Sequence, residues 1–308
     1  VTRIEEPVAA EYRGYQVLKC ATWTQGPCLL QTLRLLEQYD LKSMGHNRPD
    51  YIHVVVEALK LALADRDTYY ADPLFVDVPL PGLLAPAYAD LRRPLIDMAR
   101  ASQELRPGDP VARRALLGKS PEAYRLPPVP IRDTTTCLVA DREGNVVAAT
   151  PSGWGGVLAG RTGITLNSRL RSLNTWRGHP NCIEPGKRPR VTLTPTIVLK
   201  DNKPVLAISV AGGDLQDQAA LQVILNHIEF GLLPKEATAA PRFSTGHHTG
   251  SFGQGKPRIA SLQLNKQIPE SLAEELKRRG HKVERTGGVG SVSMLFIDVP
   301  AGQIYGAG

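Results

Sequence analysis

Asp133-Thr134-Thr135-Thr136-Cys137-Leu138-Val139-Ala140-Asp141-Arg142-Glu143-Gly144-Asn145, continuing into Val146-Val147-Ala148-Ala149-Thr150, is the stretch on which the reading of this chain turns. Thr, Cys, Leu and Val favour a pleated strand, Arg142 to Asn145 supplies a turn, and Val146 to Thr150 runs back, which predicts a β-hairpin. An acidic residue precedes the three threonines, and before it lies the proline-broken loop Leu126-Pro127-Pro128-Val129-Pro130. A threonine that becomes a chain N-terminus carries its own base, because the free α-amine can take the hydroxyl proton. That chemistry needs a cut before the threonine, and the loop offers a place for one. Taken alone, the stretch is also that of an ordinary buried hairpin.

Upstream of it the chain reads as mostly helical. After an extended start with a short strand over Tyr12–Leu18, a helix begins near Pro27, a favoured first-turn residue, and runs towards Tyr39. A long helix passes through Glu57–Arg66 with the apolar spacing of one buried face, and His53 within it reads as a packed or core-edge histidine. A further helix is predicted over Ala85–Arg100, with weaker helical pieces over 111–124. Downstream, strands dominate. They are predicted over 163–167, 193–200, 204–210, 281–285, 292–298 and 303–305, with a turn at Asp201-Asn202-Lys203. Gly212-Gly213-Asp214 opens a helix over Leu215–Phe230 that Gly231 ends, with Asp214 as N-cap and Asp217 at N3, and another helix spans Pro269–Arg279. Helices followed by strands, a helix and more strands predict a layered α/β fold.

Composition narrows the partners. A chain of 308 residues with 42% hydrophobic and 22% charged residues can bury a full core in one large domain or two smaller ones. No apolar run approaches the roughly 18 residues of a membrane span, and no signal peptide is visible. Val1-Thr2-Arg3 lacks a starting Met, so a processed or trimmed beginning is expected, and the compartment stays open between periplasmic or secreted and cytoplasmic. The net charge of +7 would suit nucleic acid, yet Lys and Arg are spread along the chain and no nucleic-acid motif accompanies them. Lys187-Arg188-Pro189-Arg190 and Lys277-Arg278-Arg279 read as solvated surface. Cys20, Cys28, Cys137 and Cys182 show no metal-ligand spacing and no disulfide framework, and Cys137 inside its strand reads as a small buried hydrophobe. Adjacent His247-His248 invite a metal reading, but no carboxylate or Cys is spaced to join them, so they are expected in a loop near the cleft or at the surface.

Asp133-Thr134-Thr135, the short apolar strand, Asp141-Arg142-Glu143-Gly144-Asn145 and the returning strand resemble the start of the small subunit of γ-glutamyltranspeptidases, which are N-terminal-nucleophile hydrolases. Tyr12-Arg13-Gly14-Tyr15, Glu57-Ala58 through Ala64-Asp65-Arg66, and Ala71-Asp72-Pro73 are similar to the later part of that family's large subunit. The resemblance implies a four-layer αββα sandwich. It implies cleavage at Asp133–Thr134 into a mainly helical fragment, 1–133, and a strand-rich fragment, 134–308, that together form one domain. The counterpart of the family nucleophile is Thr134. A heterodimer of the two fragments follows, with further oligomerisation left open. No metal or organic cofactor is expected.

The remaining site residues are read against the same pattern. Gly212-Gly213, at a strand end before a helix, can present backbone N–H groups to a tetrahedral oxyanion, and the family's oxyanion hole falls there; a plain strand-to-helix turn is the alternative. Ser152 stands where the family has a threonine that hydrogen-bonds the nucleophile's amine; a local loop role is the alternative. The donor pocket departs from the family. Trp154 replaces an asparagine, Arg169 and Ser172 replace Gln and Asp, and Val191 and Thr192 replace paired serines. The substrate-binding candidates are therefore Trp154, Asn167, Arg169 and Thr192. A cation and an aromatic wall in place of an acidic partner for an α-ammonium suggest a donor with an anionic or planar group. The expected substrate is a small amide or γ-glutamyl-like molecule, with water or an amine as acceptor. The contrasting expectation is a non-catalytic binding relative that keeps the fold.

Overall fold

The computed structural model describes residues 3–117, 134–152 and 154–308, without the side chain of Trp154. Chain entry is a tight hairpin, β1 (Val8–Tyr12) and β2 (Tyr15–Lys19), where a single strand was expected. Arg13 and Gly14 have φ of 51° and 78°, the two-residue geometry whose twist matches the flanking strands. Next come α1 (Pro27–Leu36), α2 (Leu41–Met44), α3 (Pro49–Tyr69), α4 (Leu80–Leu83) and α5 (Pro86–Arg92). The helix predicted over Ala85–Arg100 ends at Arg92 and gives way to a 3₁₀ turn, Arg93–Leu95, because Pro94 offers no N–H to continue the ladder. Residues 111–117 are turns rather than helix, and 118–124 lie outside the described residues.

The rest alternates. β3 (Cys137–Ala140), β4 (Val146–Ala149), β5 (Trp154–Leu158), β6 (Thr165–Asn167), β7 (Thr196–Lys200) and β8 (Lys203–Ala211) precede α6 (Gln216–Ile228) and α7 (Pro234–Ala239). β9 (Phe243–Ser244), β10 (Ser261–Asn265), α8 (Glu270–Arg278), β11 (Lys282–Thr286), β12 (Ser291–Asp298) and β13 (Gln303–Ala307) complete the chain. The main sheet is antiparallel throughout, in the order β1-β2-β7-β8-β12-β13. Parallel β10 and β11 are joined by α8 in a separate three-stranded sheet.

Alternation along the strands gives the main sheet two different faces. Val17, Val198, Leu206, Ile208, Val210, Val292 and Met294 share one core with α1, α3 and α6. Between them, Ser209 and Ser293, paired across β8 and β12, point the other way. There they meet the β3–β4 hairpin: Thr150 Oγ1 lies 2.8 Å from Ser209 Oγ, and Thr136 Oγ1 lies 2.8 Å from Ser293 Oγ. The result is the expected layered α+β fold. Helices, main sheet and a second β layer are the three αββα layers that the described residues build.

Several surface and core assignments change. α3 is buried on nearly every side rather than one, because α1 and α8 both pack on it; its Glu57, Lys60, Asp65 and Arg66 are buried. Lys187 and Arg190 are buried as well, with Lys187 paired to Glu184 and Arg190 to Asp67, so this basic group is not a solvated patch. Conversely Cys137 is exposed, on the outward face of the hairpin where Val139 and Val147 pair at 53% and 56% exposure.

Candidate active site

Hairpin register builds the centre of the site. β3 and β4 pair Cys137 with Ala149, and Thr135 N–H donates to Pro151 O at 3.0 Å, so the same register continued outward sets Thr134 opposite Ser152. Their hydroxyl oxygens are 2.8 Å apart. Asp133, and with it the predicted cleavage junction, lies outside the described residues.

Arg169 supplies the third group. It opens the 3₁₀ turn Arg169–Ser172, where its N–H donates to Asn167 Oδ1 at 2.8 Å. Its guanidinium is buried, donates from Nη2 to Ser152 Oγ, and lies 5.2 Å over the ring of Phe252. A cationic donor on Ser152 polarises that hydroxyl and strengthens the bond it gives onward. Asn167 thus positions Arg169 through the backbone and is itself exposed; Trp154 pairs with Asn167 through the β5–β6 ladder.

Gly212 and Gly213 follow β8 as predicted, but the helix start differs. Asp214 caps nothing; a 3₁₀ turn, Gly213–Leu215, leads into α6, and the Asp214 carboxylate instead pairs with Arg66 Nη1 at 2.8 Å. Burial alone would raise the Asp214 pKa, but Arg66 and then His248 overcome it and hold the carboxyl well below the usual range. Gly213 has φ 59°, a conformation that favours glycine, and a Cβ on Gly212 would stand 3.3 Å from Gly290 Cα. Gly212 O accepts from Leu215 N–H at 3.1 Å and Gly213 O from Gln25 Nε2 at 3.2 Å. Among the described residues no hydrogen bond joins Thr134 to this turn. The link is Phe252, which lies under Arg169 and 3.3 Å from the Cβ position of Gly213.

Thr192 is buried behind Gln25, whose Nε2 reaches its carbonyl at 3.4 Å, and its Oγ1 has no partner among the described residues. His247 and His248 are buried, not superficial. His247 holds Glu104 O and Ala260 N–H, and burial, then Lys60, pushes it down to about 3; His248 sits against Arg66 Nη2. Among the described residues no three potential ligands gather for a metal. Gln25, Arg66 and Phe252 are the neighbours that sequence reading missed. The run Asp65-Arg66-Asp67 directly after the apolar stretch Leu61–Ala64 was the available signal for Arg66.

The layering and the hairpin laid across the main sheet define an N-terminal-nucleophile hydrolase fold. Comparison gives the family: the sequence profile of the gamma-glutamyltranspeptidases matches residues 1–308, and the chain belongs to that family. It is 34% identical to the glutathione hydrolase proenzyme of Escherichia coli (strain K12), over 98% of this chain and 50% of that protein. It is also 34% identical to the acylase ACY 1 proenzyme of Pseudomonas sp. (strain SE83), over 99% of this chain and 50% of that protein. Among solved structures, LmbA2991HD superposes with a TM-score of 0.84 at 35% identity, covering 99% of this chain and 56% of that one. A cephalosporin acylase from Bacillus halodurans gives 0.74 at 26%, covering 98% and 51%. The chain spans about half the length of the curated relatives it matches.

Proposed function

We propose that this chain carries the reacting centre of a self-processing amide hydrolase or acyltransferase with Thr134 as nucleophile. The observation that carries the reading is the 2.8 Å pair of Thr134 Oγ1 and Ser152 Oγ, with Arg169 donating to the latter. Thr134 Oγ1 first attacks the Asp133 carbonyl and the Asp133–Thr134 C–N bond breaks. The Thr134 nitrogen takes the hydroxyl proton and becomes a free α-amine, while Asp133 is held as an ester on Oγ1. Water then hydrolyses that ester to the Asp133 carboxylate and the Thr134 hydroxyl. In turnover that amine takes the hydroxyl proton as Oγ1 adds to the substrate carbonyl. Backbone N–H groups of the Gly212-Gly213 turn face the oxyanion, such a donor being worth about 2.7–4 kcal/mol. Collapse expels an amine that takes the proton back, and water or an acceptor amine then releases the acyl group from Thr134. No cofactor enters the scheme.

Two fragments, 1–133 and 134–308, would remain one body after cleavage, because β2 of the first pairs with β7 of the second within one sheet. Intact mass of the full-length protein should show two pieces splitting before Thr134 that co-elute under native conditions, and one uncut chain for Thr134→Ala. An uncut wild type would favour the binding relative instead.

A γ-glutamyl donor is what the family suggests most directly. A second reading is favoured by Arg169, buried beside Ser152. A fixed cation there repels an α-ammonium and suits an anionic or planar acyl group, so the reading is an acylase of non-γ-glutamyl amides. Turnover of glutaryl-p-nitroanilide faster than γ-glutamyl-p-nitroanilide is expected, with the order reversed in Arg169→Gln. The γ-glutamyl anilide as the better donor of the wild type would rule this reading out.

A further inference from the structure

The glycine turn is braced from behind by two side chains that do not belong to the reacting centre. Gln25, whose own N–H is tied to Val191 O at 3.0 Å, donates through Nε2 to Gly213 O. Its Oε1 accepts from Arg66 Nη1 at 2.9 Å, and the same nitrogen donates to Asp214 Oδ1 at 2.8 Å. Arg66 is fully buried on α3, and its other N–H groups are engaged by Asp67 Oδ1, His248 Nδ1 and Thr249 O. No donor is left over for a substrate, so Arg66 is not a clamp for a carboxylate. Asp214 is held from its far side by Ser251 N–H at 2.9 Å and Ser251 Oγ at 2.5 Å.

What this bracing fixes is direction. In a trans peptide the C=O and the following N–H point opposite ways, and no cis bond occurs among the described residues. Gly212 O drawn to Leu215 N–H turns Gly213 N–H outward from the 3₁₀ turn, and Gly213 O, shared between Gln216 N–H and Gln25 Nε2, turns Asp214 N–H away from Gln25. Two adjacent glycines would otherwise exchange φ sign readily, and a peptide flip would replace a donor by a carbonyl oxygen that repels an oxyanion.

We propose that Gln25 and Arg66 are positioning residues that hold the Gly212-Gly213 turn with its N–H donors directed at the reacting carbonyl. This rests on the reading of that turn as the oxyanion site. The test uses cleaved full-length protein and Gln25→Met, which keeps length and loses the side-chain hydrogen bonds to Gly213 O, Thr192 O and Arg66. kcat for an acyl p-nitroanilide should fall about 10- to 100-fold, part of the 10²–10³ that follows removal of a whole oxyanion donor, with KM within twofold. Affinity for an alkylboronic acid, which forms a tetrahedral anion on a hydroxyl nucleophile, should fall by a similar factor while affinity for the product acid does not. A kcat within threefold of wild type, or equal loss of boronate and product-acid affinity, overturns the proposal. If Gln25→Met does not fold, Gln25→Glu, which keeps the acceptor for Arg66 and loses the donor to Gly213, gives the same readouts. Thr134→Ala runs alongside. Wild-type turnover in that variant sinks the nucleophile reading itself, whereas a dead Thr134→Ala beside a wild-type-like Gln25→Met sinks only the positioning.

Discussion

Ser152 Oγ stands between the hydroxyl of Thr134, the proposed nucleophile, and a guanidinium that keeps its proton. Removing it takes away the hydroxyl that Thr134 meets at 2.8 Å and the acceptor of one Arg169 N–H. Ser152→Ala should therefore lower kcat by about 10²-fold, the scale of a single positioned proton-handling or charge-stabilising group, while Ser152→Thr restores most of it. Rates per cleaved molecule check this, and a Ser152→Ala enzyme within threefold of wild type would remove Ser152 from the mechanism. Ser152 was singled out in the sequence only through the family pattern, as a partner of the amine of Thr134; that the hairpin register sets the two hydroxyls opposite each other was not read from the sequence. Nor was Arg169 as the partner of Ser152, since a 3₁₀ turn beyond an intervening strand pair brings it there and no periodicity encodes that approach.

Charge inside elements shows the same limit. β2 and α6 are locked by Lys19, which is buried, lies 2.9 Å from Asp217 and also donates to Thr194 O and Thr196 Oγ1. Burial raises the Asp217 pKa even with Lys19 beside it. Lys19→Met would leave that carboxylate unpaired and should cost about 3–5 kcal/mol, read as a lowered midpoint in urea; an unchanged midpoint would show the pair to be dispensable. Lys19 and Arg190 resemble surface residues in a linear reading because their partners, Asp217 and Asp67, come from distant segments. The apolar periods of α1, α6, β7, β8 and β12 depend only on neighbours three, four or two positions away, and these elements were read to within a few residues, whereas β1 and β2 read as one strand.

At the scale of the molecule, histidines make the fold acid-sensitive before its carboxylates do. Burial is the first cause in lowering His179 to about 4 and His247 to about 3. Their folded pKa values lie below the unfolded value near 6.5, so between about 6.5 and 4 the unfolded chain binds more protons and stability falls as pH falls. Each contributes a slope of about 1.4 kcal/mol per pH unit in that window. Urea midpoints should decline from pH 6.5 downward and less steeply in His247→Gln, and a flat profile from pH 7 to 5 would contradict this. Above pH 7 the two histidines are neutral in both states and the effect vanishes.

The interface between the two β layers also carries a consequence for accuracy. Apolar contacts carry no donor–acceptor direction, so they fix the offset of two layers only through the fit of their shapes. Here the join includes hydroxyl pairs, Thr136 with Ser293 and Thr150 with Ser209, each at 2.8 Å. A hydroxyl pair weakens on displacement along either axis of the plane, so the two act as dowels between sheets. Thr134 and Ser152 each stand two residues beyond a dowel, and therefore inherit the tolerance of the central strands rather than that of a surface hairpin.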